Sequence, residues 1–118
     1  MSLPALSRLR ESLPGCEVAL LIDVTTCTCL ASAGAIQPNQ AQLDKLCEEG
    51  AFFLGLDEGS GAAFCFVSGP LEIKAFAKAA AGQPEALCLV FAPRQVPEGL
   101  EARLFKFLEC EALGGEIA

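Results

Sequence analysis

The chain has 118 residues, 53% of them hydrophobic, enough to bury one sizeable core; this points to a single domain and excludes disorder. A net charge of −7 with no long basic run argues against a nucleic-acid partner and against an anionic membrane surface. Histidine is absent, which removes Ser-His-Asp and Cys-His catalysis together with the commonest general base and metal ligand.

No apolar run reaches the roughly 18 residues of a membrane span. The opening residues, with Arg8 and Arg10 among Ser and Pro, do not read as a secretory leader. A soluble cytoplasmic protein without membrane insertion is expected. The cysteines (Cys16, Cys27, Cys29, Cys47, Cys65, Cys88 and Cys110) are odd in number and lie mostly inside apolar runs. That is unlike the even, loop-borne pattern of a secreted disulfide scaffold, and free buried thiols acting as small hydrophobes are the simpler reading.

In chain order, Ser2 is a candidate cap for a first helix with Pro4 in its first turn; Leu6, Leu9 and Leu13 recur at helical spacing, and Pro14-Gly15 ends it. Residues 17–24 are too apolar on both faces for a half-solvated strand, so a central strand covered on two sides is expected. A turn through Thr25-Thr26 leads to a second strand over 27–33, closed by Gly34. Asn39 is a plausible cap for a helix over 40–54. At about 100° per residue, Leu43, Leu46, Cys47, Gly50 and Leu54 form the core stripe of that helix. Phe52 falls on the opposite side, in line with Lys45, Glu48 and Glu49, and Phe53 and Leu56 lie near enough to widen an apolar patch.

Residues 55–61 read as a loop, 62–67 as a third strand, and Ser68-Gly69-Pro70 as a turn. Over 71–81 pattern and propensity conflict. Ile73, Ala75, Ala77 and Ala79 alternate with Glu72, Lys74 and Lys78, but Phe76 falls on the charged side and the composition suits a helix. A strand is preferred, because it gives the apolar strand over 86–92 a hairpin neighbour through 82–85. Pro93 stops that strand, Pro97 opens a last helix with Leu100, Leu104, Phe107 and Leu108 on its apolar face, and Gly114-Gly115 ends it.

The order α-β-β-α-β-β-β-α resembles the roadblock / dynein light chain family, whose small α/β domain is profilin- or longin-like. The resemblance is carried by residues 18–23 (Val-Ala-Leu-Leu-Ile-Asp), by 30–34 (Leu-Ala-Ser-Ala-Gly) and by the amphipathic second helix. The family's first strand commonly ends in an Asp at a hairpin turn, matched by Asp23, and its second in Ala-Ser-Ser-Gly or similar, matched by residues 31–34. The chain departs from the family where Thr25-Thr26-Cys27 replaces the usual Asp-x-x-Gly turn, and in a short loop after the second helix. The resemblance implies an α/β (α+β) sandwich with a five-stranded, mainly antiparallel sheet. It also implies a homodimer joined by sheet edges and by second helices, and an adaptor role that in several members involves small Ras-like GTPases.

The motifs that suggest chemistry are weak. Cys27-Thr28-Cys29 would place two thiols on one face of a strand, but a tetrahedral metal site needs about two more ligands. Asp23 is read as capping turn amides rather than as a catalytic acid. The glycines Gly55, Gly59 and Gly61 with Ser60 lack the lysine and the following helix of a phosphate loop. The acidic residues Glu98, Glu101, Glu109 and Glu111 read as a solvated face. A non-enzymatic adaptor or regulator without metal or cofactor is therefore expected, with Lys45, Glu49, Phe52 and Phe53 on the helix contact and Phe64 and Phe66 near a sheet edge. The alternative is a small-molecule or metal/redox sensor that works through its cysteines.

Overall fold

The structure, a computed structural model, describes residues 3–34, 38–55, 63–78, 85–92 and 97–114. Ser2, Leu56, the Gly59-Ser60-Gly61 loop, the link through 82–84, Pro93, Gly115 and the side chains of Glu109, Cys110 and Glu111 lie outside the described residues. The elements are α1 (Leu3–Ser12), β1 (Cys16–Asp23), β2 (Thr28–Gly34), α2 (Gln40–Gly55), β3 (Ala63–Ser68), β4 (Ile73–Lys78), β5 (Glu85–Phe91) and α3 (Leu100–Gly114). The strands form one sheet in the order β2-β1-β5-β4-β3, and every neighbouring pair is antiparallel.

The chain makes one long excursion. It leaves the β2 edge, runs through α2 and re-enters the sheet at the opposite edge as β3. A single helix therefore lies across one face and touches all five strands. On the other face α1 covers β1 and β2 while α3 covers β4. Strand alternation sorts the apolar residues between the two sides. Ala19, Leu21, Leu87, Leu89 and Phe91 face α1 and α3. Leu20, Ile22, Phe76, Cys88 and Val90 face α2. The near-continuous apolar runs of β1 and β5 follow from this: both are interior strands covered on both sides.

The same geometry resolves the ambiguous segment. It is the strand β4, and Phe76 shares a face with Lys74 and Lys78 because that face looks at α2. Phe76 lies beneath the helix and is fully buried, while the lysines flank it and keep partial exposure. On the opposite face Ala75 and Ala77 are small because Leu104 and Phe105 of α3 fill that space.

Two helix boundaries move from their expected places. Leu13 lies just past α1, where the amide of Leu13 donates to the Arg10 carbonyl at 3.2 Å and Gly15 takes φ 82° to reverse the chain. The helix α3 begins at Leu100 rather than Pro97, because Gly99 stands at φ 70° and its carbonyl accepts the amide of Arg103 at 3.0 Å.

At Gly50 the helix α2 approaches the sheet most closely. A Cβ there would stand 2.5 Å from Ile22 Cδ1 and 3.3 Å from Phe76 Cδ1. An alanine would overpack the core by about 1–3 kcal/mol, against a gain of about 1 kcal/mol in helix propensity. Gly50→Ala is expected to lower stability to urea by about 1 kcal/mol in the native background. In an Ile22→Val background, which removes the clashing methyl, the same change is expected to become neutral or stabilising. A double-mutant cycle that showed no coupling between the two positions would contradict the close approach.

The buried thiols give a second expectation. Burial pushes Cys16 up to about 11, against the opposing charge of Arg10, and pushes Cys47 to about 11; burial drives Cys88, fully enclosed, higher still. Above pH 9.0, the ordinary value, the unfolded chain gives up these protons while the folded chain keeps them. Folding stability is then complete below pH 9 and falls as pH rises toward 11, with a slope near 1.4 kcal/mol per pH unit from Cys88 alone. Urea midpoints between pH 8 and pH 11 follow this fall, which reaches its full slope only about one pH unit above the ordinary value, and Cys88→Val is expected to flatten it.

Candidate functional site

The outer surface of α2 is set by the way the helix begins. The side chain of Asn39 accepts the amide of Gln42 at 2.9 Å while the Gln42 side chain accepts the amide of Asn39 at 2.9 Å, a reciprocal capping box. With the start fixed and Leu46, Cys47, Gly50 and Leu54 turned to the core, Lys45, Glu48 and Phe52 stand in solvent.

Glu49 sits at the border. Its carboxylate accepts from Lys74 Nζ of β4 at 2.8 and 3.2 Å, and Glu72 stands 3.6 Å from the same ammonium. Burial works to lower the Lys74 pKa, but the hydrogen bond and charge of Glu49, with those of Glu72, outweigh it and hold the ammonium charged. Glu49 therefore ties the helix to the sheet while its side chain stays partly exposed.

Phe52 is 61% exposed, a large apolar area on an otherwise charged helix face. Its ring meets Phe53 edge-on at 5.2 Å, and Phe53 stacks on the buried Phe76 at 6.0 Å. The three rings form a ladder from core to surface. Phe53 is half-buried within it, so it supports Phe52 from behind.

Phe64 and Phe66 lie on β3, the last strand of the sheet. They face the α3 side, meeting each other edge-on at 5.0 Å, and Phe64 reaches Phe105 of α3 at 6.3 Å. Phe66 stays 47% exposed. The two aromatic groups thus lie on opposite faces of the sheet. Leu71, in the turn between β3 and β4, is 83% exposed; an apolar residue inside a Gly-Pro turn was the signal in the sequence that could have marked it.

The sheet's two edges differ. The pairing of β3 with β4 is regular through six residues, whereas β2 carries a bulge. Leu21 pairs with Ala31 and Ile22 with Cys29, so Leu30 is the extra residue. A bulge twists an edge and spoils it as a template for another strand.

The bulge also corrects the expectation for Cys27 and Cys29. Cys27 lies in the turn and not on the strand, so the two share no strand face, though both line one hollow with Leu43 and Asp44 of α2. Cys27 closes the turn before β2, exposed and at φ 54°. Cys29 would share a face with Ala31 and Ala33, which pack toward α1, but the extra residue turns it toward α2. Burial raises its thiol pKa against a bond to the Ala31 carbonyl at 3.4 Å. Among the described residues no group of three or more cysteines and carboxylates is arranged to hold a metal ion. Asp23 is occupied as the sequence suggested: Oδ1 accepts the amides of Thr25 at 2.8 Å and Thr26 at 3.1 Å.

No protein-family model and no curated protein sequence matches the chain. Solved structures do. The Roadblock/LC7 domain from Streptomyces avermitilis superposes with a TM-score of 0.75 over 95% of each chain, at 12% identity. Myxococcus xanthus MglB gives 0.67 over 98% of this chain and 93% of that one, at 19% identity. The fold is the roadblock fold. MglB with tetrameric arrangement adds a TM-score of 0.62 at 26% identity, covering 95% of this chain and 84% of its own.

Within the roadblock fold, the turn after Asp23 places a side-chain-bearing residue in the left-handed region, at a cost of order 1 kcal/mol. Cys27→Gly is expected to stabilise the protein by about 1 kcal/mol in urea denaturation, because glycine takes that conformation freely. Asp23→Ala, which strips two amides of their acceptor, is expected to cost about as much. A Cys27→Gly variant less stable than the parent would show that the thiol contributes more than the strain removes.

Proposed function

We propose that this single domain is a non-catalytic adaptor that works as a cytoplasmic homodimer and scaffolds or regulates a small Ras-like GTPase. The observation that carries the reading is Phe52, exposed on α2 and braced by Phe53 and Phe76, beside the regular and unbulged β3 edge. Antiparallel pairing of β3 with β3 of a second copy would continue the sheet. It would set the two α2 helices side by side on one face, covering Phe52, and bring the Phe66 rings together on the other. An aromatic anchor among charged neighbours is the usual centre of such an interface.

The likeness to MglB in a tetrameric arrangement supports self-association. The roadblock resemblance supports the proposal of a GTPase partner. With no histidine in the chain, the mechanism in keeping with these residues is the ordering of a partner's switch loops by surface contact, without donation of a catalytic group. Glu48, one turn from Phe52, and Lys45, two turns from it, are the exposed charged residues on that side of the helix that would set the register of that contact.

Light scattering after size exclusion tests the dimer. The native chain is expected to run at twice its mass of 12.3 kDa. Phe52→Glu and Phe66→Glu are expected to give folded monomers, with a dissociation constant raised by about 100-fold or more. A native monomer, or a dimer indifferent to both changes, would overturn the reading. The GTPase part is tested by the rate of GTP hydrolysis of a purified Ras-like GTPase from the same genome, with and without the dimer. Failure to bind either nucleotide state of that GTPase would leave a scaffold only.

A further inference from the structure

A cavity of about 640 Å³ opens at the end of the sheet where β1 and β4 begin and β5 ends. Its apolar lining comes from Val18, Leu46, Val90 and Ala92, and its charged lining from Arg10, Lys45 and Lys74 against Glu17, Glu49 and Glu72. This size is that of a small-molecule site.

The charges are not all matched. Lys74 is held between Glu49 and Glu72, and these are the two ion pairs among the described residues; neither includes Arg10. Arg10 Nε is buried and makes no hydrogen bond, and no other buried side-chain nitrogen or oxygen among the described residues is left so. Nε itself is closed off, so an anion in the cavity can meet Arg10 only through its terminal N–H groups. The group that matches a guanidinium in shape and charge is a carboxylate or a phosphate, taken in the plane of the fork. The pocket narrows the choice. Glu17 stands on the same wall, and one lysine serves both Glu49 and Glu72, so a doubly charged phosphate meets more repulsion than a singly charged carboxylate.

We infer that this cavity binds a small organic monocarboxylate with an apolar body, its carboxylate on Arg10 with Lys45 at the mouth and its body on Val18, Leu46 and Val90. The site lies within one copy of the chain, and of its residues Lys45 alone is shared with the proposed contact face. Because Lys45 also lies on the stripe that runs to Phe52, an occupied cavity would alter the charge of the face used for contact.

The test is a titration of the full ¹⁵N-labelled chain with sodium hexanoate at constant ionic strength, followed by amide shifts. Sodium acetate, 1-hexanol and phenyl phosphate are the comparison probes. Hexanoate is expected to give saturable shifts centred on Gly15, Glu17, Val18, Gln42 and Leu46. Acetate lacks the body, hexanol lacks the charge and phenyl phosphate carries too much of it, so each is expected to bind at least about tenfold more weakly. Arg10→Gln is expected to weaken hexanoate by about tenfold or more, and Lys45→Gln by a few fold. No saturation by about 20 mM hexanoate, equal binding of hexanol, tighter binding of phenyl phosphate, or an unchanged affinity in Arg10→Gln would each overturn the inference. Should Arg10→Gln fail to fold, Lys45→Gln decides alone, since unchanged affinity there would show that the anion does not sit between the two cations.

Discussion

The architecture depends on how closely α2 can lie against the sheet. At Gly50 the absent side chain lets the helix rest on Ile22 and Phe76 with no room for even a methyl group. That approach allows one helix to cross all five strands and to carry the chain from the β2 edge to the β3 edge. It also fixes the rotation of the helix. With Gly50 turned to the sheet, a residue two positions on is about 200° around the axis, so Phe52 has to face outward. Tight packing at one point and an exposed aromatic at another are two consequences of a single contact.

The second organising device is the difference between the edges. Around Asp23 the chain builds its hairpin with a side-chain acceptor, a residue in the left-handed region and an extra residue at Leu30. These irregularities leave β2 a poor template for a partner strand and turn Cys29 to the α2 side. The other end of the sheet carries no such defence: β3 is regular and bears a half-exposed phenylalanine. Glu49 and Lys74 hold the helix in register with the sheet behind that edge.

Much of this was legible in the residues. The order of elements, the core stripe of α2, the Asn39 cap, the Asp23 turn and the exposure of Phe52 follow from periods of 2 and 3.6 and from turn chemistry, all of which act over a few residues. The role of β4 was legible only in part, since Phe76 breaks the alternation that its own strand suggests. The misreading of Cys27 and Cys29 has a clear origin. Strand alternation assumes an unbroken ladder, and the bulge at Leu30 is a property of the pair β1–β2, not of β2. Likewise the role of Glu49 was hidden, because its partner Lys74 is distant in sequence.

The sequence by itself determined which segments are helix and strand, which faces are apolar, and that no histidine chemistry is present, because those properties are set by local sterics and composition. Only the tertiary structure decided the strand order, the unequal edges, the opposite placement of the two aromatic groups and the unpartnered Arg10 at a cavity. Each of these is a relation between segments far apart in the chain, settled by how side chains fill the space between α2 and the sheet.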